Sequence, residues 1–304
     1  ALRAFETAAR TLNFTRTAEE LGQTQGAISH QIREMEARLG TRLFERQPRG
    51  LALTDAGRRY VPYVREAMER LRAGEDALRG PAATAVLTVS VSPNFAAKWL
   101  VPRLGRFLAD HPEIDLRLSA SIQHVDFARE DIDVAIRHGN GDWPHLEVAR
   151  LCSETVGPMC SPALLPDGRR FASAGDFAGH VLIHDNSRAG WRDWLAARGL
   201  PTTQAEHGPI FSQTSLAIDA AVAGQGIVLA RSALAALDLV SNRLVRPLPD
   251  ETPAAFAYWI VAPKSGATRP KVARFRDWLL EQARADERAL RNSDAGRNGR
   301  LTLT

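Results

Sequence analysis

Apolar residues fall at helical spacing through the first eighty positions and switch to strand-like alternation afterwards. Leu2, Phe5, Ala9 and Leu12 recur at steps of three and four, which predicts an amphipathic helix. Phe14-Thr15 reads as an apolar residue and an N-cap for a short second helix through Ala18 and Leu21, stopped at Gly22. Thr24 caps a third helix with the stripe Ile28, Ile32, Met35 and Leu39, and Gly40 ends it. Two extended pieces follow, 42–46 and 51–54, around the turn Gln47-Pro48-Arg49-Gly50. With Thr54 as its cap, a long helix then runs from Asp55 to Arg79. Its residues Val61, Val64, Met68, Leu71 and Leu78 form a heptad-type stripe, interrupted at Glu75. So narrow a strip on so long a helix suits a partner helix, with packing inside one chain as the alternative. "RGPAAT" (79–84) reads as a linker.

Beyond residue 86 strands and helices alternate. "VLTVSVS" has period two, and Ser92-Pro93 suits an N-cap and first helical position, opening a helix through Trp99, Leu100 and Phe107. Strands are expected at 115–121, 131–137, 147–161, 180–184, 208–212, 226–230 and 256–263, with helices at 191–197, 214–223 and about 270–290. Such alternation predicts an α/β fold with a largely parallel sheet covered on both faces. The tail, 292–304, lacks periodicity and is expected to be disordered.

Composition narrows the class. A chain of 304 residues suggests about two domains, and its 44% hydrophobic and 24% charged residues are ordinary for a globular protein. There is no apolar run long enough to span a membrane, so no membrane partner is expected. The N-terminus shows no export signal, and the expected location is the cytoplasm. The chain opens without a methionine, so its first residue need not be the natural start. Net charge is only +4, yet residues 25–65 carry eight arginines against Glu34, Glu36, Glu45 and Asp55, a local excess of +4. A basic segment can meet phosphates or simply be solvated. Cys152 and Cys160 lack metal-ligand spacing and read as buried free thiols.

Catalytic signatures are missing: no nucleophile elbow, no phosphate loop, and no third glycine behind "GNGDW" or "GQGIV". The eight histidines show no ligand spacing, so neither a metal nor a cofactor is expected. His184, Asp185 and Ser187 are too close along one loop to form a triad. The expectation is a protein that is not an enzyme.

Two short helices joined by a glycine turn have the spacing of a helix-turn-helix, whose second helix enters the major groove. If the apolar stripe is buried, Thr24, Gln25, Gly26, Ser29, His30 and Arg33 lie on or near the opposite side of the first two turns. Glutamine can pair with adenine, serine or histidine can bond base edges or phosphates, and glycine admits close approach. Arg33 and the turn arginines Arg46 and Arg49 suit phosphate or minor-groove contact. Spacing alone serves a plain surface helix equally well.

Residues 2–71 resemble the winged helix-turn-helix and linker helix of the LysR-type transcriptional regulators. The register is carried by Ala18–Leu21, Gln25, Ala27–Ser29, Ile32, Glu36, Leu39-Gly40, Leu43-Phe44, Arg46, Leu53-Thr54 and Gly57. Pro62 sits where that family often places a proline, whereas Gly26 stands where it usually has proline or another small residue. "DVAIRHGNGDWPHLEVARL", "GWRDWLAARGL", "FSQTSLAIDAAVAGQGIVLARSAL", "NRLVRPL" and "FRDWLL" extend the likeness to about residue 290, within the branch of glycine-cleavage activators and β-lactamase-gene regulators.

The resemblance implies a DNA-binding domain at 1–55, a linker and dimerisation helix at 55–80, and an effector domain at 86–291. That last domain resembles a type 2 periplasmic binding protein, two α/β subdomains joined by crossovers at 148–161 and 256–262. Subdomain I is then about 86–155 plus 262–291, and subdomain II is 156–261. Ligands of such folds sit at strand carboxyl ends near helix N-termini, which favour a carboxylate or phosphate. Candidates are Ser92, Asn94, Gln123, His124, Arg137, His138, Gln213, Thr214 and Ser215. The implied partners are double-stranded promoter DNA, a small effector, RNA polymerase and further copies of the chain, as a dimer assembled into a homotetramer. The alternatives are a solute-binding protein, which would leave the first 80 residues unused, and a regulator that acts without an effector.

Overall fold

Asn13 holds a β-region backbone, and its side-chain oxygen accepts from Thr15 N (2.9 Å) and Arg16 N (3.1 Å). Asn13 therefore caps the second helix, in place of the expected Thr15, which already lies inside it. The computed structural model describes residues 1–47, 50–79, 85–123, 125–127, 130–165, 169–248 and 250–298. Its N-terminal part consists of α1 (Leu2–Thr11), α2 (Phe14–Leu21), α3 (Gln25–Leu39), the antiparallel hairpin β1 (Phe44–Gln47) and β2 (Gly50–Leu53), and α4 (Asp55–Arg79). Thr24 caps α3 through Ala27 N (3.2 Å), while Gly22 and Gly40 end α2 and α3 at φ +62° and +66°. Those left-handed turns favour residues without a Cβ.

Phe5, Ile28, Ile32, Met35, Leu43 and Phe44 form one core, with Phe5 and Phe14 each set edge-on to Phe44 at 5.6 Å. Leu39 departs from its expected place in the buried stripe: it is 39% exposed in the last turn of α3. The stripe of α4 is divided. Val61 and Val64 are buried in this same core and Met68 packs against it, which corrects their assignment to a partner helix. Leu71 is 59% exposed, and the side chain of Leu78 lies outside the described residues.

Short polar contacts fasten the hairpin. Glu36 Oε1 accepts from Leu43 N (2.7 Å) and Phe44 N (3.0 Å), and Thr54 Oγ1 donates to Arg42 O (2.7 Å) and accepts from Gly57 N (3.0 Å). Gly57 is sterically required, because a Cβ there would stand 2.1 Å from Leu43 O and 2.9 Å from Leu53 Cδ2.

The remainder of the chain forms two mixed sheets. The first joins β3 (Ala85–Val91), β4 (Ile114–Ala120), β5 (Val134–Gly139), β6 (Leu146–Cys152) and a strand from far along the chain, β12 (Ala257–Pro263). The second contains β7 (Thr155–Met159), β8 (Leu182–Asp185), β9 (Ile210–Phe211), β10 (Ile227–Arg231) and β11 (Thr252–Pro253). Their orders are β4-β3-β5-β12-β6 and β11-β7-β10-β8-β9. Each sheet pairs in parallel where strand and helix alternate and antiparallel where a crossover strand enters, so "largely parallel" is corrected to mixed.

The chain crosses between the sheets at 153–154 and again at 254–256. The expected crossover at 256–262 is therefore corrected: β12 lies wholly in the first sheet, and the second subdomain ends before it. Helices α5 (Pro93–Phe95) and α6 (Val101–Asp110) flank a π-helical turn, Ala96–Leu100, in the first subdomain. The second contributes α7 (Ala189–Ala196), α8 (Thr214–Val222) and α9 (Ser232–Val240), the last of which periodicity did not mark. The final helix, α10, runs Pro270–Asn298, so 292–298 is helical and the expectation of a disordered tail is corrected there; 299–304 lie outside the described residues. One apolar core runs through both subdomains, from Trp99 and Phe275 to Ile218 and Leu234.

Two predictions follow from packing. Gly57→Ala forces Leu43 and the hairpin apart; the expected loss is about 2 kcal/mol, typical of overpacking, read as a lower denaturant midpoint of the N-terminal domain. Cys152 and Cys160 are buried, and burial pushes both thiols up, Cys160 to about 12. Neither should react with an aromatic disulfide reagent at pH 8 until denaturant is added, and rapid native labelling would contradict this.

Candidate functional site

The first two turns of α3 separate by face. Ile28, Ile32 and Met35 point into the core, whereas Gln25, Gly26, His30 and Arg33 are exposed, as is Thr24 before them, and Ser29 is half-exposed. Arg33 Nε bonds back to Ser29 O at 3.2 Å, which steadies the arginine along the helix. A Cβ at Gly26 would meet nothing within 4 Å, so the protein's own packing does not demand glycine there. Arg46 is exposed on β1, and Arg49 lies outside the described residues. The outer face of α3 and the hairpin thus offer one polar surface, fixed from beneath by Glu36 and Thr54.

The second candidate lies between the two subdomains. Asn94 at the start of α5 accepts through Oδ1 from Ser215 N, 3.1 Å away in the first turn of α8. Thr214 Oγ1 donates to Asp185 Oδ2 (2.7 Å) at the end of β8. Ser92 Oγ is buried beside the Tyr258 phenol, whose ionisation burial pushes up. Gln213 is the N-cap of α8, although its side chain makes no capping bond. Asn94, Thr214 and Ser215 are therefore brought together across the cleft.

Other candidates form separate groups. Arg137 turns toward its own subdomain, donating to Ser90 Oγ (2.6 Å), Ile136 O (3.0 Å) and Gln123 O (3.3 Å), and desolvation lowers its pKa from the usual arginine value. Gln123 contributes its backbone there and exposes its side chain; His124 lies outside the described residues. His138 faces the crossover. Its Nε2 lies 2.8 Å from Glu154 Oε2 and 2.5 Å from Arg231 Nη1, with Tyr258 and Phe256 against the ring at 4.9 and 5.7 Å. One ring nitrogen can donate to the carboxylate or accept from the guanidinium, not both at once.

The structure adds residues that pattern reasoning missed. Lys98, on the π-helical turn, bridges to Asp219 (2.7 Å) and buried Asp238 (3.0 Å) of the second subdomain. Asp185 and Arg231 hold polar positions at the ends of β8 and β10, and Glu154 and Tyr258 are buried beside His138. A signal existed for Lys98 and Glu154, since each is a charge set within an otherwise apolar or extended stretch. Among the described residues no group of three or more His, Cys, Asp or Glu could hold a metal, and no helix is long and apolar enough to cross a membrane.

Comparison with known proteins agrees with both halves. Residues 1–58 match the bacterial regulatory helix-turn-helix protein, lysR family, and residues 82–284 the LysR substrate binding domain. The chain is 41% identical over 291 residues to the glycine cleavage system transcriptional activator of Escherichia coli (strain K12), covering 96% of this chain and 95% of that one. It is 39% identical over 289 residues to the HTH-type transcriptional activator AmpR of Pseudomonas aeruginosa, covering 95% and 96%. The effector domain of that AmpR superposes with a TM-score of 0.52 at 35% identity, over 67% of this chain and 98% of that one. CrgA, a LysR-type transcriptional regulator from Neisseria meningitidis, shares the fold, with a TM-score of 0.52 at 24% identity over 93% of this chain and 97% of that one. The chain belongs to the LysR family: it is a transcriptional regulator that joins a helix-turn-helix domain to an effector-binding domain.

Proposed function

We propose that the protein binds promoter DNA as a symmetric oligomer, with α3 in the major groove, and that a small anionic effector in the cleft sets the arrangement of its DNA-binding domains. The observation that carries this reading is the exposed row Gln25, Ser29, His30 and Arg33 on a helix anchored by Ile28, Ile32 and Met35. Gln25 and Ser29 read base edges, Thr24 and Arg33 meet phosphates, and Gly26 lets the backbone approach the duplex. Arg46 and Arg49 reach the flanking backbone or minor groove. Pairing of α4 beyond Met68, through Leu71 and Leu78, makes the dimer, and two dimers make a tetramer. The two-fold axis calls for a partly palindromic site with half-sites one helical turn, or a multiple, apart. RNA polymerase is the further partner, the site of action is the cytoplasm, and no catalysis is involved.

In the cleft, Asn94 occupies an α8 N–H that an effector carboxylate would take over. Thr214 and Ser215 stand at that position, with Gln213 before them and Ser92 before Asn94 along the chain, and the separate groups around His138 and Arg137 are the further candidates. A ligand shifts the regulator only by as much as it binds one arrangement more tightly than the other.

Titration against the upstream intergenic DNA at two salt concentrations tests the first half. Saturable, sequence-selective binding that weakens with salt is expected, and Gln25→Ala/Ser29→Ala should lose about 1–3 kcal/mol of discrimination per lost base contact. Sequence-indifferent binding that the double variant leaves unchanged would sink the reading. For the cleft, melting temperature is followed against small carboxylates, amino acids and cell-wall fragments. A specific ligand at about a hundredfold its Kd stabilises by roughly 2.7 kcal/mol. That gain should shrink in Asn94→Ala, and an undiminished gain would place the ligand elsewhere.

A further inference from the structure

A cavity of about 500 Å³ opens in the second subdomain between α7 and the returning crossover, beyond the carboxyl ends of β8 and β10. Its volume falls within the range of small-molecule sites. Trp191, Trp194, Leu229 and Phe256 supply apolar walls, and Asp185 and Asp193 supply carboxylates.

The lining carries two aspartates and two arginines, but both arginines already have a carboxylate partner outside it. Arg198 is engaged by Asp250 through two bonds of 2.5 and 2.6 Å, and Arg231 lies 3.6 Å from Glu154. Among the described residues Asp185 accepts only neutral side-chain donors, the Asn186 amide (2.8 Å) and the Thr214 hydroxyl (2.7 Å). Asp193 stands exposed on α7 with no cation within ion-pair distance among the described residues. With each arginine counted beside its own carboxylate, the cavity presents two uncompensated negative charges next to aromatic rings. One such ring already accepts a cation, since the Arg198 guanidinium lies 3.9 Å from the Trp194 centroid. A site with these properties selects a positive group borne on an apolar body.

We infer that this cavity is a subsite for a protonated amine carried on an apolar or aromatic group. The ammonium lies between Asp185 and Asp193 and the body rests against Trp191, Trp194 and Phe256. Asp185 also anchors Thr214 at the mouth of the cleft, so the subsite continues the effector site and receives the end of the ligand opposite its carboxylate. This inference rests on the cleft reading above and adds the ligand's second charge and its apolar portion.

The test uses the full chain, without DNA, in calorimetric titrations with three probes of similar shape: benzylamine, benzyl alcohol and phenylacetate at pH 7. Benzylamine should bind saturably and benzyl alcohol about tenfold more weakly or worse, while any phenylacetate binding should be lost in Asn94→Ala and unaffected by Asp193→Asn, as for a ligand of the cleft. Asp185→Asn and Asp193→Asn should each weaken benzylamine about tenfold. Asp185→Asn retains an acceptor for Thr214, and Asp193 is exposed, so at least the second variant keeps the parent's melting temperature. The inference is overturned by no saturable benzylamine binding, by equal binding of the alcohol, or by amine binding unchanged in both variants. Because the cleft reading is judged with carboxylate-bearing ligands and the Asn94→Ala variant, failure here and failure there are told apart.

Discussion

A fully buried carboxylate stands where the chain leaves one sheet for the other. Glu154 has no exposed side-chain surface, and a charge taken out of water costs several kcal/mol unless it is paired. Its partners come from both sides of the crossing: His138 ends β5 in the first sheet, and Arg231 ends β10 in the second. One oxygen of Glu154, Oε2, therefore meets both strand ends, while Oε1 is buried with no hydrogen-bond partner among the described residues. Lys98 repeats the device on the other flank, crossing to Asp219 and Asp238. Between these polar ties runs a shared apolar core, so the two subdomains pack against one another through one continuous interior.

The DNA-binding half depends on a different economy of groups. Glu36 alone satisfies two backbone N–H groups where α3 meets the hairpin, and Gly57 lets α4 start directly beneath Leu43. These buried contacts leave the outer face of α3 free of structural duties. Gly26 makes the distinction clear: the protein itself has room for a larger residue there.

Local pattern was legible where one element buries one stripe. The helices of the first domain, their glycine stops and the strand–helix alternation after residue 86 were readable because each reflects short-range periodicity. What could not be read was pairing between distant segments. The stretch 147–161 looked like one strand, yet it splits at 153–154 between two sheets. β12 looked like a crossover, yet it pairs with β5 and β6 through all its length. Asn94 and Ser215 were legible as helix starts, but their contact over 121 positions was not. Neither was the imbalance of charge around Asp185 and Asp193, since the ion pairs of Arg198 with Asp250 and Arg231 with Glu154 exist only after folding. Leu39, Val61 and Val64 show the reverse error: periodicity found the apolar positions but not what would cover them.

The burial of Val61 and Val64 makes the near end of α4 part of the same rigid body as α3. From Asp55 to Met68 that segment spans 14 residues, about 21 Å at the usual helical rise. It acts as a lever arm with the recognition helix fixed at one end. A rotation of a few degrees beyond Met68 displaces the far end of this arm, and α3 with it, by an ångström or so, without any change inside the N-terminal core.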